Sequence, residues 1–398
     1  MDDAERTVAG GTARALRRTA LTAGAAGAAG ALAEVASQVR VARAARPLTD
    51  CWQRVPVEPR GRAKIGISFR PLQAEALGLD PMASLATLLD YPFQLIRLGA
   101  YWNRIEDGPG RFDTGELDRQ VDAAEQAGKQ IIVCVGPVKT FGYPEFFVPG
   151  HHLPEPLREG ALVEPAAHSS LLDASTAFAT RVVKRYRDRR AVVAWQVEHD
   201  AVDPLGMEHS WRLSAAFVRR EVEVVRAADP TRPVMMNGFL PTSAPVRAQQ
   251  WWRTRDQGDS LAVAQQLADI VGVDFYPRHA LAARGGRTVY LAGSIGALRR
   301  RRDLLRWAAA SGRRLIIDEG QAEPWEAVTT PPSPRDRAMY SCLPEHVIEN
   351  YSQCMRWNRQ GPCALDAYLF WGAEYWLLRE QQGDLRYLRA FTRVLDRA

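Results

Sequence analysis

From residue 60 onward the chain repeats one unit: a short, almost wholly apolar run followed by an amphipathic stretch of helical period. The apolar runs are KIGISF (64–69), QLIRLGAYW (94–102), QIIVCVGP (130–137), VVAWQVEHD (192–200), RPVMMNGF (232–239), IVGVDFYP (270–277), RRLIIDEG (313–320) and ALDAYLFW (364–371). Near-continuous apolar character marks parallel strands covered on both faces. The stretches 114–128, 171–188, 210–229 and 296–312 carry the helical period, and Gly128 and Gly312 stand where helices end. Eightfold strand–helix alternation predicts an α/β fold, a single-domain (β/α)8 TIM barrel over residues 61–398, with residues 1–60 as an N-terminal extension and linker. A doubly wound open sheet is the alternative. It would favour a glycine-rich phosphate loop after the first strand, and ISFRPLQ has none.

Composition agrees with a large globular core: 398 residues, 46% hydrophobic and 25% charged. The net charge of +6 comes from arginines spread along helical segments. RRRRDLLR (299–306) reads as a solvated helix face, and no nucleic-acid motif accompanies it, so no nucleic-acid partner is expected. The five cysteines are scattered, odd in number and without a C-x-x-C pair. Cys134 reads as a core thiol; Cys354 and Cys363 form a pair only in an oxidising compartment. No His/Cys cluster has zinc-ligand spacing, and no metal or cofactor is implied. Residues 13–37 resemble a twin-arginine export signal, which places the protein outside the cytoplasm, in the secreted or cell-envelope fraction. Read instead as an alanine-rich tail, the same run leaves it cytoplasmic. The Ala/Gly content argues against a stable membrane span.

In a (β/α)8 barrel, chemistry sits at the C-terminal ends of the strands. Here those ends carry Arg97 and Trp102 (second), Glu198, His199 and Asp200 (fourth), Asn237 (fifth), Asp274 and Tyr276 (sixth), Asp318 and Glu319 (seventh), and Trp371 and Glu374 (eighth). Singly, each has a structural reading, Arg97 as a barrel ion-pair partner and the tryptophans as core. Together, carboxyls at strands four and seven inside an aromatic rim are hard to explain as packing, because buried carboxylates are costly unless paired. Two carboxyls across an aromatic mouth suit glycoside cleavage, one protonating the leaving oxygen and the other attacking the anomeric carbon. Aromatic faces suit sugar rings, so the expected partner is a carbohydrate substrate.

These segments resemble clan A of the retaining glycoside hydrolases, in particular the cellulase-like and family 42 or 35 β-galactosidase-like barrels. WQVEHD (195–200) resembles the WQ-x-x-NE motif of strand four, and LIIDEGQAEPW (315–325) resembles the strand-seven segment of the nucleophile. LIRLGAYWNRIE (95–106), VDFYP (273–277) and LFWGAEYW (369–376) resemble strands two, six and eight. The resemblance covers roughly residues 62–380. It implies Glu319 as nucleophile and Asp200 as acid/base. It implies Arg97, His199, Tyr276 and Trp371 as substrate-side groups, and no cofactor; the strand ends themselves add Trp102, Glu198 and Asn237 as candidate substrate-side groups.

One departure matters. His199 and Asp200 stand where the clan has Asn and Glu. Asp withdraws the acid by roughly 1.5 Å, and a misplacement of about 1 Å can cost about a hundredfold in rate. Glu198, two residues back and on the same face if the strand continues, is the other candidate acid; neither residue serving is the third possibility. The expected activity is retaining hydrolysis, or transglycosylation, of a β-glycoside. The alternative is a carbohydrate-binding pseudoenzyme with an impaired acid. A barrel enzyme of unrelated chemistry, such as a lyase, would need a metal cluster or phosphate site that the sequence does not display.

Overall fold

A computed structural model describes residues 36–398 apart from 44, 154, 204–210, 285–286, 294, 325–336 and 361–363. Most of the export-like segment and Cys363 lie outside the described residues. Eight parallel strands close into a barrel in chain order: β1 (Lys64–Ser68), β2 (Leu95–Gly99), β3 (Gln130–Cys134), β4 (Val192–Gln196), β5 (Val234–Phe239), β6 (Ile270–Phe275), β7 (Arg314–Gln321) and β8 (Ala367–Trp371). All eight predicted strands are present, and the helices surround them. The observed helices Gly115–Gln126, Ser169–Tyr186, Ala215–Ala228 and Ile295–Ser311 fall within a few residues of the predicted stretches. Gly128 and Gly312 have φ of +68° and +67°, the left-handed geometry that ends a helix. Among the described residues, no helix is long and apolar enough to cross a membrane.

Side chains alternate along each strand, and this sorts the barrel into layers. Outward residues such as Ile96, Val133, Val273, Ile317 and Phe370 join the main core against the helices. Inward residues at the N-terminal end, Leu95, Ile132, Ala194, Met235, Ile270, Ile316, Ala367 and Leu369, form a separate apolar plug. Two residues further along, the inward positions turn polar: Arg97, Gln196, Asn237 and Asp318, all buried. Above them Phe141, Phe239, Tyr276 and Trp371 pack as a third cluster together with Cys134. The apolar plug supports the polar layer from beneath, and the aromatic cluster shields it from above.

Two expectations change. The second strand ends at Gly99, and Trp102 begins a short helix, Trp102–Ile105. The segment 36–60 is packed against the barrel domain. Val39–Arg43 pairs antiparallel with Arg287–Ala292, which in turn pairs with Arg278–Arg284. Gln38 is buried and accepts from the backbone of Ala244, and Trp52 is buried in the main core.

Gly136, just past β3, touches the exit of β4: a Cβ there would overlap the backbone nitrogen of Glu198. Gly136→Ala should therefore push the 198–200 turn outward. It should lower stability by about 1–3 kcal/mol in equilibrium urea unfolding. A variant as stable as the parent would contradict this packing.

Candidate active site

The site is built on a bulge. Along β6 and β7, Val273 pairs with Ile317 and Asp274 with Glu319, so Asp318 is the extra residue. The pairing with β8 slips at the same place. A bulge redirects the side chains that follow it. Asp318 and Glu319, although adjacent, both contact Arg97 inside the barrel. Gly272 leaves the room, since a Cβ on it would come within 2.5 Å of Asp318 Oδ1.

Arg97, on β2, is fully buried and organises the polar layer. Its Nε donates to Gln196 Oε1 at 2.6 Å, and its Nη1 donates to Glu319 Oε1 at 2.9 Å and lies 3.4 Å from Asp318. The second carboxylate oxygen of Glu319 accepts from the Tyr276 hydroxyl at 2.7 Å. Phe141 closes the other side, its ring centre 4.0 Å from the Arg97 guanidinium.

Asn237 is the hub between strands four, five and six. Its Oδ1 accepts from Gln196 Nε2 at 3.0 Å and from the Asp200 backbone N–H at 3.3 Å. Its Nδ2 donates to both oxygens of Asp274 at 3.0 Å and faces His199 Nδ1 at 2.9 Å. The Arg97 guanidinium is also 3.5 Å from Nδ1. With donors on that nitrogen, Nδ1 is assigned as the acceptor and Nε2 carries the proton. Burial and the nearby Arg97 and Lys139 hold the His199 pKa well below its ordinary value, so the ring is neutral. A neutral ring protonated at Nε2 can donate a hydrogen bond from that nitrogen.

The chain leaves strand geometry after Gln196. Glu198 and Asp200 have φ of +56° and +43°, left-handed values that are strained for these residues. This breaks the alternation expected to put both carboxyls on one face, and they part. Glu198 turns to the loop after β3, where it accepts from the backbone N–H groups of Val138 and Lys139. There its carboxylate ties the turn to that loop, away from the face shared with Asp200 that alternation predicts. Asp200 stays at the mouth, buried, its backbone carbonyl held by Lys139 Nζ at 2.7 Å. Its Oδ1 has no hydrogen-bond partner among the described residues.

Asp200, Asp274, Asp318 and Glu319 thus crowd around the cations Arg97 and Lys139. Burial raises all four, Asp318 to about 6 and Glu319 to about 8, with Arg97 opposing the shift at both. Asp274 is raised well above its ordinary value by burial and then by Glu319, Asp200 and Asp318. It adjoins the carboxyls of Asp200 and Asp318. Burial and these neighbouring carboxyls both favour the neutral form of Asp274. His199, Asp274 and Glu319 also bring one potential ligand atom each within 4.8 Å of one another, a set of donors able to hold a cation.

The other expected groups fall as follows. Trp371 lies at the mouth, 6.1 Å from Phe141 centre to centre, with the Arg70 guanidinium 4.3 Å from its ring centre. Trp102 does not reach the mouth. Fully buried, it packs on Phe178 and donates to Glu106, because the chain turns into a helix before it. Glu323 and Glu374 are both bound to Arg70, at 2.7 Å each. Sequence reasoning missed Arg70 and Lys139, and named Asp274 and Asp318 without bringing them together. Arg70 was visible as the polar end of the first strand, and Lys139 as the lone cation in an aromatic loop.

Glu198 also faces Glu221 on the helix behind β4. Burial pushes Glu198 up to about 7 and Glu221 well above its usual range. A carboxyl raised on folding stabilises below its unfolded value, about 4.3 for Glu, and that contribution is lost as pH rises through the folded value. Tm should therefore fall between pH 5 and 8, and Glu221→Gln should flatten the decline. A slope equal to that of the parent would contradict the pairing.

No protein-family model matches the chain, and no curated protein matches it. Solved structures do. GH5_18 from Streptomyces cattleya, in complex with GlcNAc, is 12% identical over 84% of this chain and 81% of its own, with a TM-score of 0.50. An intracellular xylanase from Thermoanaerobacterium saccharolyticum is 13% identical over 79% and 87%, with a TM-score of 0.46. A β-galactosidase from Marinomonas ef1 is 15% identical over 77% and 54%, with a TM-score of 0.47. At such identities the likeness concerns the fold alone: the chain shares the closed (β/α)8 barrel of GH5_18.

Proposed function

We propose that the protein cleaves a β-glycoside by double displacement with retention of configuration. The observation that carries this reading is the setting of Glu319. Its two oxygens are held by a buried guanidinium and a phenol at the C-terminal end of β7, in the barrel that also presents Asp200 beyond β4. Both contacts favour the ionised carboxylate against the burial that raises it.

In the first step Glu319 Oε1 or Oε2 attacks the anomeric carbon. The bond to the leaving oxygen breaks, and Asp200 gives that oxygen its proton. In the second step Asp200 takes a proton from water, the water oxygen bonds to the anomeric carbon, and the Glu319 ester breaks. Burial raises Asp200, which suits a group that must begin protonated. His199 Nε2–H is positioned by Asn237 to donate to a ring hydroxyl, and Trp371 at the mouth is the aromatic group placed to meet the sugar.

The test is a panel of aryl and alkyl β-glycosides. Glu319→Gln should abolish turnover of every member while sugar binding survives. Asp200→Ala should lower kcat/KM on unactivated glycosides by about 10²–10⁴ and change it little for aryl glycosides with good leaving groups, which need no proton. Equal losses on both would remove Asp200 from the acid role. Sugar binding with no turnover of any member by the parent protein would favour the binding-protein reading.

A further inference from the structure

Away from the mouth, the loops after β2 and β3 meet at three potential ligands. Glu106 follows the short helix Trp102–Ile105, and His151 and His152 lie in a single 3-10 turn, Gly150–His152. Both imidazole Nε2 atoms converge on the same oxygen: His151 is 3.0 Å and His152 2.8 Å from Glu106 Oε1. The other carboxylate oxygen accepts from Trp102 Nε1 at 2.9 Å, which fixes the plane of the carboxylate. The His152 ring lies 4.8 Å from the Trp102 ring at 31°, and the two imidazoles are 4.2 Å apart centre to centre. The glycosidase chemistry proposed above uses none of these groups.

From this convergence we infer a divalent transition-metal site of the zinc type, with His151 Nε2, His152 Nε2 and Glu106 Oε1 as ligands. Nitrogen and carboxylate oxygen are the donors such ions take, at about 2.0–2.2 Å. In a tetrahedron with bonds of that length, neighbouring donors stand about 3.3–3.5 Å apart. The observed 3.0 and 2.8 Å therefore need to open by roughly 0.3–0.7 Å. Trp102 orients the carboxylate from behind, as outer partners of metal ligands do. The three side chains keep 16–23% exposure, enough for an ion to enter and for water to complete its coordination. The ion would tie the loop after β2 to the loop after β3, which carries Lys139 and Phe141 to the mouth. Its role is structural.

The experiment is calorimetric titration of the chelator-treated full chain with Zn2+, repeated with His151→Ala and His152→Ala, alongside Co2+ absorption. The parent should bind one equivalent at this site, with a visible Co2+ spectrum of tetrahedral intensity and a higher Tm with Zn2+. Each variant should lose at least tenfold in affinity and the spectrum, and the double variant should show no Tm response. Circular dichroism of the variants checks that they remain folded. No saturable binding by the parent, or binding that survives both substitutions and so belongs to other donors such as His199, would overturn the site.

Discussion

The Arg97 guanidinium is the interaction on which the rest of the site depends. It sits inside the barrel with no solvent contact and meets Gln196, Asp318 and Glu319 at once. A buried cation without partners is strongly unfavourable, and a group of buried carboxyls is equally so. Each offsets the other here. Breaking such an arrangement by removing one partner typically costs about 3–5 kcal/mol, so the arginine and its acids are retained or lost together. The coupling extends through Gln196 and Asn237 to His199, Asp274 and the backbone of Asp200. One hydrogen-bonded sheet of side chains therefore fixes the nucleophile candidate, the acid candidate and the ring-hydroxyl donor.

In the proposed reaction, this arrangement accommodates the His199–Asp200 departure. A neutral histidine held at Nδ1 offers one N–H donor, where an asparagine amide has two. The left-handed turn at Glu198 and Asp200 moves the backbone off the strand path, so side-chain length alone does not fix where the acid lies. Lys139, donating to the carbonyls of Asp200 and Asp203, holds that turn in place from the neighbouring loop.

The barrel was legible in the sequence because its strands are buried on both faces and so are apolar almost throughout, a pattern no surface strand shows. Arg97 and Asn237 were legible as polar residues at inward positions of otherwise apolar strands, and Glu319 and Tyr276 as polar residues near the C-terminal ends of theirs. What failed did so where local geometry departs from the regular period. The bulge at Asp318 adds one residue that periodicity cannot register. The turn after Gln196 separates Glu198 from Asp200, and the helix at Trp102 carries that ring away from the mouth. Contacts between distant loops, Arg70 with Glu323 and Glu374 or Glu106 with His151 and His152, leave no spacing to read.

The central claim is that Glu319 forms a covalent bond to the sugar. The direct measurement is mass spectrometry of the protein after incubation with activated 2-deoxy-2-fluoro-β-glycosides of several sugars, followed by peptide mapping. The account predicts a single added glycosyl group, located on Glu319. A label on another carboxylate such as Glu323, or steady turnover of those reagents through an intermediate that never maps to Glu319, would contradict it.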